Sequence, residues 1–462
     1  MSTRDAVTAL RRFGLGVRPG EIKAIARDPR GYLLQQMQSF DPGRGAPEGL
    51  RTSYAGFEAL QIEQRDKKQR EQEMAKQALT LPADQAAKAA SMQPWPDVVR
   101  DTFQAEQTHR FQRACQASDG FIERLTAFWS DHFCISADKS GPVRVMTGAY
   151  EREAIRPHIL GRFVDMLVAS AMHPAMIIYL DNQQSIGPNS RAGGKGRGLN
   201  ENLAREIMEL HTLGVDGGYT QADVTNFARI LTGWTVGGIE NTASNPGRFF
   251  FAPARHEPGD ITVLGKVYKD EGQISGQRVL EDLARHPATA RHIARKLARH
   301  FVGEAAPAAL VERLAHTFTR TDGDLKAVTQ ALVQSSEAWS AAPKKLLPPI
   351  DLVIGICRAL AIEPKEAPRF TTQLGQPLWR PPSPKGWPDD DNAWTAPSAM
   401  RERLRVAELA ARQVQKTLDP REVADDLFGE ALSTHTRTAI ARAEVLEQGF
   451  ELLLMSPEFQ RR

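Results

Sequence analysis

Asn200-Glu201-Asn202-Leu203-Ala204-Arg205-Glu206-Ile207-Met208-Glu209-Leu210-His211-Thr212-Leu213-Gly214-Val215-Asp216-Gly217-Gly218-Tyr219-Thr220-Gln221-Ala222-Asp223-Val224-Thr225-Asn226-Phe227-Ala228-Arg229-Ile230-Leu231-Thr232-Gly233-Trp234 holds two helical patterns joined by a diglycine turn. Wound at about 100° per residue, Leu203, Ala204, Ile207, Met208 and Leu210 share one broad apolar face that includes His211. Glu201, Arg205 and Glu209 form an i,i+4 ladder on the polar side, and Asn202, Glu206 and Leu213 form a third stripe. Asn200 suits an N-cap, and Glu201 suits the positive end of the helix dipole. Thr220-x-x-Asp223 reads as a capping box opening the second helix. Asp216-Gly217-Gly218 is a turn: the oxygen ligands of a calcium loop are absent from the required positions.

The helical period continues on both sides. Short helices are expected over 3–13 and 20–38, longer ones over 97–133, 142–160 and 162–171, and more over most of 276–362 and from 399 to the end. Residues 57–92 carry a helical pattern poor in apolar residues and read as a projecting polar arm. Arg248-Phe249-Phe250-Phe251 and Ile261-Thr262-Val263-Leu264 flank Glu257-Pro258-Gly259-Asp260, which reads as a β-hairpin within a 240–268 insertion. A Pro-rich loop occupies 375–398. The expected fold is mainly α: one large multi-helix domain over 1–462 with a single small hairpin.

Composition narrows the function classes. The 462 residues carry 59 basic and 56 acidic side chains, a formal charge of +3 that argues against nucleic-acid binding. Three scattered cysteines, Cys115, Cys134 and Cys357, offer neither a disulfide framework nor a cysteine zinc site. No stretch is apolar for long enough to span a membrane. Residues 1–12 lack the apolar core of a secretory signal, so a cytoplasmic location is expected.

Several side chains qualify for chemistry. Glu206 borders the apolar face, where desolvation raises a carboxyl toward general acid or base work; an arginine from another helix would instead make it structural. Glu206 and Glu209, three apart, could share a divalent cation, although the Glu-x-x-His spacing of di-iron helices is absent. His211 reads as a core histidine. His132, after an aromatic pair, and His256, at the hairpin turn, could each converge with Glu206 in space. The loop Gly193-Gly194-Lys195-Gly196-Arg197-Gly198 precedes a helix N-terminus and could hold an anion through Lys195, Arg197 and backbone N–H groups, yet it lacks nucleotide P-loop spacing. Trp387, followed by Asp389, Asp390 and Asp391, could stack on a sugar; turn and cap roles compete. The Arg291/Arg295/Arg299 stripe, opposite Ile293, Leu297 and Phe301, is a solvated face.

Arg12-Phe13-Gly14-Leu15-Gly16, Phe128-Trp129…His132-Phe133, Pro174-Ala175-Met176…Tyr179-Leu180-Asp181-Asn182 and the Asn200–Gly214 motif carry a resemblance. Gly217-Gly218-Tyr219, Thr232-Gly233-Trp234, Pro287-Ala288-Thr289-Ala290-Arg291 and Ser456-Pro457-Glu458-Phe459 extend it. The chain resembles the bacterial domain-of-unknown-function 1800 family along its whole length. The resemblance implies no assigned activity. It implies frequent export, and frequent encoding beside a family related to alkaline phosphatases and sulfatases. This chain departs at His256-Glu257 and Ile261, where relatives tend to read His-Asp and a later Lys.

Two functions are therefore carried forward. One is a hydrolase-type enzyme with a carboxylate/His site, metal-assisted or not, acting on a sugar- or ester-bearing substrate. The catalytic candidates are Glu206, Glu209, His132 and His256; the substrate-binding candidates are Asn202, Lys195, Arg197 and Trp387. The other is a non-catalytic partner of an adjacently encoded phosphatase- or sulfatase-like protein.

Overall fold

The computed structural model describes residues 3–43, 47–78, 97–194, 198–238, 245–340 and 344–462. Helices packed on helices make up nearly all of it, with two small two-stranded antiparallel sheets. No helix among the described residues is long and apolar enough to cross a membrane.

The helix Gly120–His132 runs through the centre. Its sequence, Gly-Phe-Ile-Glu-Arg-Leu-Thr-Ala-Phe-Trp-Ser-Asp-His, is apolar on most sides, as a helix enclosed by others must be. Phe121, Ile122 and Leu125 are fully buried, and Phe121 meets Phe13 edge-on at 5.7 Å. Charges on such a helix need partners. Glu123, also fully buried, receives Arg156 at 2.6 Å, Arg113 at 2.9 Å and Arg110 at 3.2 Å. Burial alone would raise its carboxyl, but Arg156, Arg110 and Arg113 hold it at about 2. Arg124 donates to the Gly14 carbonyl at 2.5 Å and to Asp351 at 2.8 Å.

Three π-helical turns occur among the described residues: Ala9–Phe13, Glu151–Ile155 and Ile207–Thr212. The first two pack directly on Gly120–His132, and the third packs on the helix Pro287–Phe301. Such turns are rare and concentrate at functional sites.

The hairpin expectation needs correction. The strand β1 (Trp234–Val236) pairs with β2 (Phe249–Phe251), while β3 (Ile261–Val263) pairs with β4 (Lys266–Tyr268). The two segments expected to pair with each other each take another partner. The connection β3–β4 is a two-residue turn, Leu264-Gly265, with both residues at positive φ (49° and 75°). That is the left-handed geometry that matches strand twist. Glu257 is instead buried, accepting from the Asn189 backbone (2.9 Å) and side chain (2.6 Å).

The polar arm begins as the helix Ser53–Ala78. Its start is not projecting: Phe57 and Leu60 are buried, and the helix packs against Gly141–Tyr150. Residues 79–96, which hold the rest of the expected arm, lie outside the described residues.

A candidate active-site cavity

The opening motif does not form one α-helix. It is α-helical over Asn202–Glu206 and π-helical over Ile207–Thr212. Asn200 caps the start by accepting from the Asn202 N–H at 2.9 Å. Thr212 Oγ1 donates to the Ile207 carbonyl (2.6 Å) and the Leu213 N–H to Met208 (2.9 Å), both across five residues. The wider turn changes which side chains share a face. Glu206 and Glu209, read as neighbours able to share a cation, open into different spaces.

The last carbonyls of this turn are captured by imidazoles. His292 Nε2 donates to Leu210 at 3.0 Å, and His132 Nε2 donates to His211 at 3.1 Å. A carbonyl only accepts, so Nε2 carries the proton in each ring. The rings of His211 and His292 lie 6.1 and 6.2 Å from that of His132. Burial depresses all three, His292 to about 4, His211 to about 3 and His132 well below the usual histidine range. The cluster is neutral at pH 7, and His132 Nδ1 is buried with no partner among the described residues.

Beside this cluster lies a cavity of about 540 Å³, larger than a water site and sized for a small molecule. Phe128 and Asp131 from Gly120–His132 line it, with His292, Lys296 and His300 from Pro287–Phe301. Glu209 and Leu210 of the third π turn and Glu151 of the second complete much of the wall. The Pro-rich loop closes the remainder, presenting Lys385, Trp387 and Asp389.

Close docking holds that loop in place. Asp131 Oδ1 accepts from the Trp387 N–H at 2.8 Å, and Cys134 Sγ donates to the Pro384 carbonyl at 3.2 Å. Gly386 has φ +84°, and a Cβ there would lie 2.7 Å from the Asp131 carbonyl oxygen, so only glycine fits. Asp389 pairs with Lys345, and Asp390 caps the short helix Asp391–Trp394 by accepting from Ala393 N at 3.1 Å. Asp389 and Asp390 thus have structural partners even though both, like Trp387, line the cavity.

Two groups in the cavity wall stand out. Burial pushes the Asp131 carboxyl up to about 6 despite the Trp387 bond. Burial also lowers Lys296, with Asp131 the largest opposing influence. Each acts on the other electrostatically, yet they form no ion pair, and Lys296 makes no hydrogen bond or ion pair to any described residue. Two opposite, perturbed charges that line one cavity without pairing are an arrangement a packed core avoids and an active site exploits.

The remaining candidates fall elsewhere. Glu206 and Asn202 line a separate groove with Asp181 and Lys139, on the far side of Pro381-Pro382-Ser383. The Glu206 carboxyl is raised by burial and then by Glu209. His132 is buried and does not line the cavity. His256 holds the Thr232 carbonyl with Nδ1 (2.8 Å) and Asp270 with Nε2 (3.3 Å), and does not line the cavity. Lys195 and Arg197 lie outside the described residues. Among the described residues no three His, Cys, Asp or Glu side chains gather as a metal ion would require. Of the residues singled out from the sequence as catalytic or substrate-binding candidates, Glu209 and Trp387 line the cavity; Asp131, Lys296, His292 and His300, which also line it, were not among them. The available signal was the i,i+4,i+8 run His292, Lys296, His300, set between the apolar and arginine stripes of one helix.

A mainly helical body with a charged cavity beside its central helix defines the class of protein. A family model described as "Protein of unknown function (DUF1800)" matches residues 8–461, and the chain belongs to that family. No curated protein and no solved structure matched it.

Proposed function

We propose that the protein is an enzyme whose active site is this cavity, with Asp131 as general acid/base and Lys296 as the cation that steadies developing negative charge. The observation that carries the reading is that Asp131 and Lys296 line one cavity large enough for substrate and influence each other without forming an ion pair. At pH 7 an Asp titrating near 6 is mostly ionised and suits a general base that activates water. Lys296 would then stand where a tetrahedral or alkoxide oxygen gains charge. Hydrolysis of an ester- or sugar-bearing substrate is the reaction class these roles fit. Trp387 and Phe128 supply flat apolar walls for a ring, and Glu209 a further polar contact.

The test is turnover of a panel of aryl esters and aryl glycosides, with and without a carboxylate or phosphate group beside the scissile bond, by wild type, Asp131→Asn and Lys296→Met. At least one substrate is expected to turn over, with kcat reduced about 100-fold or more in the Asn variant. The kcat/KM of wild type is expected to rise through pH about 6 as Asp131 ionises. No turnover across the panel, or turnover unchanged in a folded Asp131→Asn protein, overturns the reading.

A further inference from the structure

The far end of the cavity, around His300, is built differently from its middle. Burial above all keeps the His300 ring neutral, and four cations act in the same direction, Arg462 most strongly, then Lys345, Arg124 and Lys296. Two carboxylates lie among them: Asp351, 2.8 Å from Arg124, and Asp389, paired with Lys345 and 3.9 Å from His300 Nδ1. With Asp131, which acts on Lys296, three carboxylates stand against four cations, so positive charge is in excess by one. Arg462 is only 2 % exposed, and its three guanidinium nitrogens have no hydrogen-bond partner among the described residues. Its nearest carboxylate, Asp351, stays 3.6 Å away. His300 Nε2 is also buried without a partner. Buried donors left without a bond are expensive; His300 lines the cavity, while Arg462 does not line it and acts on His300 through its charge, so an acceptor with negative charge is what this part of the wall lacks.

We infer that this end of the cavity is an oxyanion subsite, taking a carboxylate or phosphate group of the substrate against Lys296 and His300, within the positive field of the buried Arg462. A tetrahedral or planar oxyanion offers several acceptor lone pairs at once and compensates the surplus cations. A neutral sugar hydroxyl does only the first. Neutral His300 would present an N–H from Nε2, and Lys296, in no ion pair, a full charge on the cavity wall. The inference rests on the cavity being the substrate site, and it narrows the substrate to one bearing an acidic group beside the bond cleaved.

Calorimetric titration of the full chain with inorganic phosphate and, separately, with benzoate tests it and distinguishes the two oxyanions. At least one is expected to bind saturably, with affinity falling at least tenfold in Lys296→Met and Arg462→Gln and retained in Lys296→Arg. Thermal melts of each variant establish folding. If Lys296→Met fails to fold, Arg462→Gln and the Arg replacement carry the comparison. Absence of binding by both anions, or equal binding by folded Lys296→Met and Arg462→Gln proteins, overturns the subsite. Anion binding without turnover of any panel substrate leaves the subsite standing and removes the hydrolase. Turnover that depends on Asp131 without anion binding does the reverse.

Discussion

Replacing Asp131 with Asn should make the protein more stable at neutral pH, and only there. The Asp131 carboxyl titrates near 6 in the folded state against an ordinary 3.8. A displacement of about two units corresponds to about 3 kcal/mol at most. The sign follows from proton uptake. Between pH about 4 and 6 the folded state binds the proton that the unfolded state has released, so stability falls as pH rises through that window. Above it the full penalty persists. Asn keeps the Oδ1 acceptor for Trp387 N–H and never ionises, so it escapes the penalty. Two effects reduce the gain: the carboxyl is half-buried and partly solvated, and Lys296 loses its largest attractive neighbour. The expected net gain is about 1–3 kcal/mol at pH 7 and near zero at pH 4. Urea denaturation of both proteins at pH 4, 5, 6 and 7 reads it directly. A difference between the two that stays constant across this range would refute the reasoning, because it would mean the Asp131 carboxyl is not held out of its usual range.

Other consequences concern the frame around the cavity. Glu123→Ala strands three arginines in the interior and should lose about 3–5 kcal/mol by chemical denaturation; a loss under 1 kcal/mol would show that water reaches them. Gly386→Ala forces a Cβ onto Asp131 at a left-handed φ, so a loss of about 2 kcal/mol or more is expected, with changed Trp fluorescence as the loop lifts. Thr220→Ala removes a capping box in which Thr220 and Asp223 bond reciprocally, and should lower stability by about 0.5–2 kcal/mol without changing the cavity.

How much of this was legible in the chain depends on the range of the interactions. The helical body, the Thr220/Asp223 cap and the buried Ile293–Leu297–Phe301 stripe follow from periodicity and local side-chain chemistry, which a sequence displays. The π turn at Ile207–Thr212 does not, because it is stabilised from outside: His132 and His292, far away in the chain, take up its last carbonyls. Once the turn widens, the regular stripe linking Glu206 to Glu209 is lost. The hairpin failed for a related reason. Phe249–Phe251 finds its partner in Trp234–Val236, at the end of the preceding motif, and Leu264-Gly265 is a turn whose first residue is not a usual turn former. Asp131 and Lys296 were obscured because each looks like a solvent-facing charge on an amphipathic helix. Only the meeting of two distant helices and the Gly386-Trp387 turn makes them cavity groups.

The central claim is that chemistry belongs to the cavity at Asp131 and not to the groove at Glu206. Measuring kcat on a panel substrate for Asp131→Asn beside Glu206→Gln separates the two. The account predicts a loss of about 100-fold or more for the first and less than about threefold for the second. A Glu206→Gln protein that is folded and inactive, beside an active Asp131→Asn protein, would contradict it.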